Sequence, residues 1–444
     1  MRYQDKLHAG NFTTAKPAFE LLADLIMRLI TASTWFLKTA IHSKTKDADV
    51  GRGAAQLAQA IEMARKIMFK APWMTASSNP MEERAAAELQ LKHQLSAALD
   101  QGFILHNTDQ PEFRLINQHN QFGLINPDNR YYLANIKTPG TYIIRGRLGT
   151  SADLQIQLAP EFTGNPNPEP VSFLSLPELC HKNGEFMITI SDTDPGDGNW
   201  LNNTNGESKA ANILIRESFM DWENEVGGTW YIERVDNRGE PSPLPTPALV
   251  EKQYRMASKY LVQSVVAWIA VVKKLLGKSQ TGAMSKPDET KLRGQYSSFG
   301  VFPMRADQAV IITLKKACAR YQAIQVGDLW FNSLDYCHRQ TSLTMAQARP
   351  SSDGRYRIVL SRKDPGVANW LDPAGASTAF VFARWQGLDD DYKLSCSDTP
   401  CVEVVDFDSL REHLPPDEPH FCTQERTDQL AARQAAGLKT PRGF

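Results

Sequence analysis

The composition has little charge excess of either sign. Forty-nine Lys and Arg stand against fifty Asp and Glu, a formal net charge of −1. Nucleic-acid binders carry a clustered positive excess that replaces the counterions on phosphate, so a nucleic-acid partner is not expected. Cysteine is scarce as well. Six in 444 residues, at Cys180, Cys318, Cys337, Cys396, Cys401 and Cys422, do not make a disulfide scaffold. Cys396 and Cys401 could bridge a turn, or join His420 and Cys422 in a metal set, but that spacing fits no zinc module; free thiols and no metal are expected. Long hydrophobic runs are missing too. The most apolar segment, Tyr260 to Leu276, has an unbroken apolar core only over Val265–Val272 before Lys273 and Lys274, whereas a bilayer span needs roughly 20 apolar residues. The amino-terminal residues lack the apolar core of a secretory signal. The expectation is a soluble, cytoplasmic protein with no membrane partner; a homo-oligomer is compatible with the composition.

Several chemistries have no motif. No GxGxxG follows a strand, and no GxxxxGK[ST], HExxH or GxSxG stands in its required setting. The nine histidines are scattered, with no pair at metal-ligand spacing. No cofactor is implied.

What the chain does have is one stretch used twice. Residues 183–201 read NGEFMITISDTDPGDGNWL and 353–371 read DGRYRIVLSRKDPGVANWL, matching without a gap at nine of nineteen positions. The offset of 170 residues exceeds any solenoid period and approaches a domain length, so the reading is an internal duplication. In each copy the apolar residues Phe186, Ile188 and Ile190, or Tyr356, Ile358 and Leu360, fall at every second position, which predicts a strand with one buried face. Asp-Pro-Gly then predicts a turn, with Pro fixing φ and Gly supplying positive φ. Asn199 and Asn369 are placed to bond the loop internally, and Trp200 and Trp370 to plug the sandwich end. An Asp, Asn and Trp set also suits sugar binding, but its presence in both copies favours a fold-setting turn.

Around the repeat, the expected class is α+β: two related β-sandwich-like domains, each preceded by α-helices. Residues 1–102 read as helical, with helices over 17–42, 54–69 and 82–99. Short strand-like runs separated by Asn, Gly and Pro make 103–236 the first sandwich. The Pro-rich stretch 237–247 is a linker, 248–323 a helical segment, 324–408 the second sandwich and 409–444 a tail. The interface between the copies, or the mouth of the second, is the natural place for a ligand cleft.

Candidate site residues lie where the copies differ. Asp335-Tyr336-Cys337-His338-Arg339-Gln340 has no counterpart in the first half. Read as a strand, it puts Tyr336 and His338 on one face as an acid/base pair, with Asp335 and Arg339 on the other. Arg339 or Arg384 would hold a carboxylate or oxyanion, and Asp335, Trp370 and Trp385 would contact substrate. The bland alternative is a satisfied strand-end His beside a solvent-facing Arg. Arg216 and Arg384 follow in matching strands, each placed to pair with the turn Asp of its own copy.

The tract Tyr131–Arg145, the DPG…NWL segments followed by Arg216 and Arg384, WFNSLDYCHRQTSL at 330–343 and the tail LREHLP…ERTDQLAARQ resemble the bacterial domain-of-unknown-function family 1214. The resemblance covers mainly 129–235 and 320–434. It implies a β-sandwich-like fold and brings no reaction and no catalytic residue. The family often travels with a partner domain numbered 1254, of which no clear signature is seen, and the helical first hundred residues depart from it.

Two functions fit these readings. One is a cofactor-independent acid/base enzyme, of lyase or hydrolase type, acting on a hydroxylated or carboxylated small molecule. The other is a non-catalytic carbohydrate- or lipid-binding protein using Trp200, Trp330, Trp370 and Trp385 as aromatic platforms.

Overall fold

The computed structural model describes residues 51–76, 79–161, 168–289, 294–389 and 391–439. The helix expected over 17–42 lies outside them. The chain opens with α1 (Arg52–Met68), α2 (Pro72–Ala76) and α3 (Pro80–Leu99). Asn79 caps α3 by accepting the Glu82 N–H at 3.4 Å, with Pro80 in the first turn. Nine strands follow: β1 (Arg114–Ile116), β2 (Asn129–Asn135), β3 (Tyr142–Arg147), β4 (Asp153–Ala159), β5 (Ser172–Ser175), β6 (Glu185–Ser191), β7 (Asn199–Asn202), β8 (Asn212–Ser218) and β9 (Thr229–Arg234).

After the Pro-rich connection, α4 (Pro247–Leu276) begins at the Thr246 cap, whose Oγ1 accepts the Leu249 N–H at 3.2 Å. Nine more strands follow: β10 (Asp288–Glu289), β11 (Gln295–Pro303), β12 (Gln308–Leu314), β13 (Ala319–Gly327), β14 (Ser342–Thr344), β15 (Tyr356–Ser361), β16 (Trp370–Leu371), β17 (Thr378–Leu388) and β18 (Cys401–Asp406). Helix α5 (Thr423–Lys439) closes the described chain.

The duplication is complete in the topology. One sheet of the first sandwich runs β1-β2-β8-β4-β5 and the other β7-β6-β3-β9; those of the second run β10-β11-β17-β13-β14 and β16-β15-β12-β18. Every strand of the second set is the one nine places later than its counterpart. Each sandwich has its own core, around Ile144, Ile156, Ile188 and Ile215 in the first and Ile312, Ile324, Ile358 and Val381 in the second.

The repeated turn behaves as its sequence predicts. Asp194 Oδ1 accepts the Gly196 N–H at 2.8 Å and Asp364 Oδ1 accepts that of Gly366 at 2.9 Å. Both glycines have positive φ, +86° and +65°. Asn199 Nδ2 donates to the Cys180 and Met187 carbonyls, and Asn369 Nδ2 to those of Arg349 and Arg357.

One boundary is corrected. The helix expected from 248 ends at Leu276, and strands β10 to β13 lie before 328, so the second sandwich starts well before 324. Strands β12 and β13 are buried on both faces, as is β4. A strand without a wet face loses its alternation and reads like a buried helix. The cause is long-range: the two five-stranded sheets face each other, α1, α3 and α4 pack on the outer face of the second one through Ala64, Leu91, Leu261, Val265 and Phe380, and Leu410 and Leu414 cover Ala309 and Ile311 of β12.

Candidate ligand-binding cavity

The stretch from Asp335 to Gln340 is a turn, which corrects the strand reading. Asp335 Oδ1 accepts the His338 N–H at 3.1 Å and lies 3.0 Å from His338 Nδ1; this local capping holds the chain in a turn. His338 and Asp335 are about half exposed, whereas Tyr336 is 2% exposed and edge-on to Trp222. The turn therefore separates the proposed acid/base pair. An Asp three residues before the group it caps was the available signal. Arg339 reaches the surface and donates from Nη1 to Asp372 Oδ2 at 2.8 Å.

The tryptophans share no surface. Trp385 is in the core of the second sandwich. Trp370 donates Nε1–H to the Ser361 carbonyl at 2.9 Å under the Arg426 guanidinium. Trp200 donates to Ser191 Oγ at 3.2 Å, and Trp330, buried beside Trp73, donates to Glu83 Oε2 at 3.1 Å. Substrate platforms at Trp370 and Trp385 are replaced by structural roles.

Arg216 and Arg384 also depart from expectation. The turn carboxylate Asp364 is held by Arg426 at 2.9 Å, and neither strand arginine pairs with a turn Asp. Both sit on the central strand of a five-stranded sheet, on the face directed away from their own core, because Ile213 and Ile215, or Val381 and Ala383, take the core side. Arg384 donates from Nη1 to Gln325 Oε1 and from Nη2 to the Leu124 carbonyl at 3.3 Å, and its guanidinium stacks on Phe382. Arg216, 1% exposed, makes one long bond, Nη2 to Gln157 Oε1 at 3.5 Å. Its Nε and Nη1 have no hydrogen-bond partner, and among the described residues no carboxylate lies within ion-pair distance. Burial lowers its pKa to about 10, against the opposing influence of Tyr131 and Asp153, so the group is a cation at neutral pH.

Arg216 lines a cavity of about 290 Å³. Its walls are Leu133 and Leu214 from the sheet, Leu124 and Ile125 from the preceding loop, and Met256 and Trp268 from α4. Tyr131 of β2, Tyr260, Lys259 and Gln263 of α4, and Glu161 also line it, with Lys259 and Glu161 3.6 Å apart and well exposed. The result is an apolar chamber with a buried, underused cation. A larger hollow of about 490 Å³ lies against α5, but its buried arginine and Asp221 are already engaged. There Arg433 donates to the Tyr336 and Ser342 carbonyls and to Ser342 Oγ, and Asp221 bonds Asn224 and the Glu223 N–H. The sequence pointed to Arg216 by its match to Arg384; the cavity itself depends on α4 and the 122–125 loop, both distant in sequence.

No family model matches the chain, and no curated protein matches it. Among solved structures, it is similar to an uncharacterized protein from Burkholderia cenocepacia, 24% identical, with a TM-score of 0.71 over 81% of this chain and 98% of that one. The two share a fold. A protein from Vibrio parahaemolyticus aligns over 72% of this chain and 99% of its own with 11% identity and a TM-score of 0.41. Among the described residues no helix is long and apolar enough to cross a membrane, and no group of His, Cys, Asp and Glu is placed to hold a metal ion.

Proposed function

We propose that this protein binds a small carboxylate with an apolar body in the cavity against Arg216. The observation that carries the reading is the buried Arg216 guanidinium with Nε and Nη1 unmet beside an apolar chamber. Burying a cation without a partner is costly, and a carboxylate is the anion whose geometry matches a guanidinium. Binding is favoured over acid/base turnover because Tyr336 and His338 stand apart and neither lines the cavity. The test is titration calorimetry of wild type and Arg216→Met with phenylacetate, hexanoate and their amides. Carboxylates are expected to bind wild type, the amides at least tenfold more weakly, and Arg216→Met neither. Absence of carboxylate binding, or equal binding by the variant, would overturn the reading.

A further inference from the structure

The duplication supplies an internal reference for the cavity. The strand register makes Arg216 equivalent to Arg384, since each stands on the central strand beside an equivalent glutamine, Gln157 or Gln325. In the same register Leu214 corresponds to Phe382, Asn212 to Phe380 and Leu133 to Phe299. Ala159 corresponds to Gly327.

The second copy fills the space that the first leaves open. Phe299, Phe380 and Phe382 stack there, with ring centroids 5.7 to 6.0 Å apart. Phe382 lies 4.6 Å from the Arg384 guanidinium carbon, and the Leu124 carbonyl supplies an oxygen to the same guanidinium. The second arginine thus has a stacked aromatic face and a backbone oxygen acceptor, both from the chain itself. The first arginine has only the long bond to Gln157 and Tyr131 beside it across the strands, and the residues in the places of the three phenylalanines are Leu133, Asn212 and Leu214 against a cavity.

We infer that the ligand is an aromatic carboxylate whose ring stands in for the Phe382 face and whose carboxylate stands in for the Leu124 carbonyl at Arg216. This rests on the binding reading above and narrows it. A desolvated guanidinium gains from an aromatic face in a way it does not gain from a saturated ring of similar size. Space is adequate, because cavities of roughly 150 Å³ hold a benzene ring.

The test compares phenylacetate, cyclohexylacetate and hexanoate on the full chain by titration calorimetry, with two variants that copy the second sandwich, Leu214→Phe and Asn212→Phe. Phenylacetate is expected to bind at least tenfold tighter than cyclohexylacetate, and at least one of the folded variants, checked by near-ultraviolet circular dichroism, to lose it tenfold or more. If cyclohexylacetate or hexanoate binds as tightly as phenylacetate, the aromatic assignment falls and the carboxylate reading stands. If no carboxylate binds, both fall. If both phenylalanine variants keep wild-type affinity for phenylacetate, the placement of the ring on this sheet is wrong; if neither variant folds, loss of phenylacetate binding in Leu133→Phe decides the same point.

Discussion

Ser218 and Gln386 are 168 positions apart, occupy the same place in the two copies, and hydrogen-bond to each other, Oγ to Oε1 at 2.6 Å. Equivalent residues meet only near a symmetry axis, so the two sandwiches pack back to back about a pseudo-twofold beside this pair. The arrangement buries the outer faces of both five-stranded sheets and places Arg216 and Arg384 in the same dry layer. There burial lowers the pKa of both arginines, and the Arg384 charge adds to burial at Arg216.

Arg216→Met should raise stability while abolishing carboxylate binding. Replacing a buried charge that lacks good partners by a similar-sized apolar group is neutral or stabilising by about 1–4 kcal/mol. Arg384→Met should do the opposite. It leaves the Leu124 carbonyl and Gln325 Oε1 without their donor, at roughly 1–3 kcal/mol for an unsatisfied buried group. Urea denaturation of the two variants beside wild type reads both signs, and equal effects would contradict the asymmetry between the copies.

The domain interface has its own ion pair. Arg320 of β13 donates to Asp153 Oδ1 of β4 at 2.8 and 3.1 Å, and Asp153 is buried while a third of Arg320 meets solvent. Burial raises the Asp153 pKa and Arg320 pulls it back. Arg320→Met should therefore destabilise by up to about 3 kcal/mol, the low end for a broken buried pair given the partial exposure. Much of the loss should return on acidification, because the stranded carboxylate then folds protonated. Denaturation midpoints at pH 5 and pH 8 measure this; a loss independent of pH would point to packing alone.

Two buried titratable groups at the junction of α3 with the second sandwich oppose each other. His93 Nδ1 lies 3.0 Å from Asn332 Oδ1, and burial lowers its pKa to about 4. Asp328 accepts from Trp330 N, Asn332 N and Asn332 Nδ2, and burial raises its pKa to about 7. The histidine's contribution to stability is present above its unfolded pKa near 6.5 and is lost as pH falls toward 4. The aspartate's is present below about 4 and is lost as pH rises through 7. His93→Gln removes the first slope and leaves the second. Relative to wild type, the variant should gain stability as pH falls from 7 to 4, and a constant difference across that window would reject the assignment.

The fold was legible wherever local pattern agreed with burial. The alternation around Ile188 and Ile358 and the Asp-Pro-Gly turns depend on neighbours a few residues away, and each forms as its residues require. Strands β11 to β13 were missed because their second face is covered, by the helices, by the other copy or, for β12, by the segment after β18, which removes the polar positions that mark a strand. The site was half legible. Arg216 and Arg384 stand out as a repeated pair, but what distinguishes them is the exchange of Leu133, Asn212 and Leu214 for Phe299, Phe380 and Phe382, visible only once the register is known. Tyr336 and His338 misled because alternation was assumed where the Asp335 cap makes a turn.

The loop that plugs the second copy should also be detectable by mutation. A β-carbon at Gly327 would stand 2.3 Å from Leu124 Cδ1 and 2.7 Å from the Asn332 carbonyl oxygen, whereas the equivalent position in the first copy carries Ala159 and faces the cavity. Glycine is therefore required only where Leu124 is seated. Gly327→Ala should destabilise by about 1–3 kcal/mol through overpacking. Leu124→Ala truncates a buried side chain at a cost of about 2–5 kcal/mol, but it removes the closer of the two clashes. The double variant should then be more stable than the sum of the single effects predicts, by about 0.5–3 kcal/mol of coupling. The Asn332 carbonyl, being backbone, prevents full relief. Strict additivity in urea denaturation would mean that Leu124 does not fill the second copy, and would remove the self-filled reference from which the ligand's shape is read.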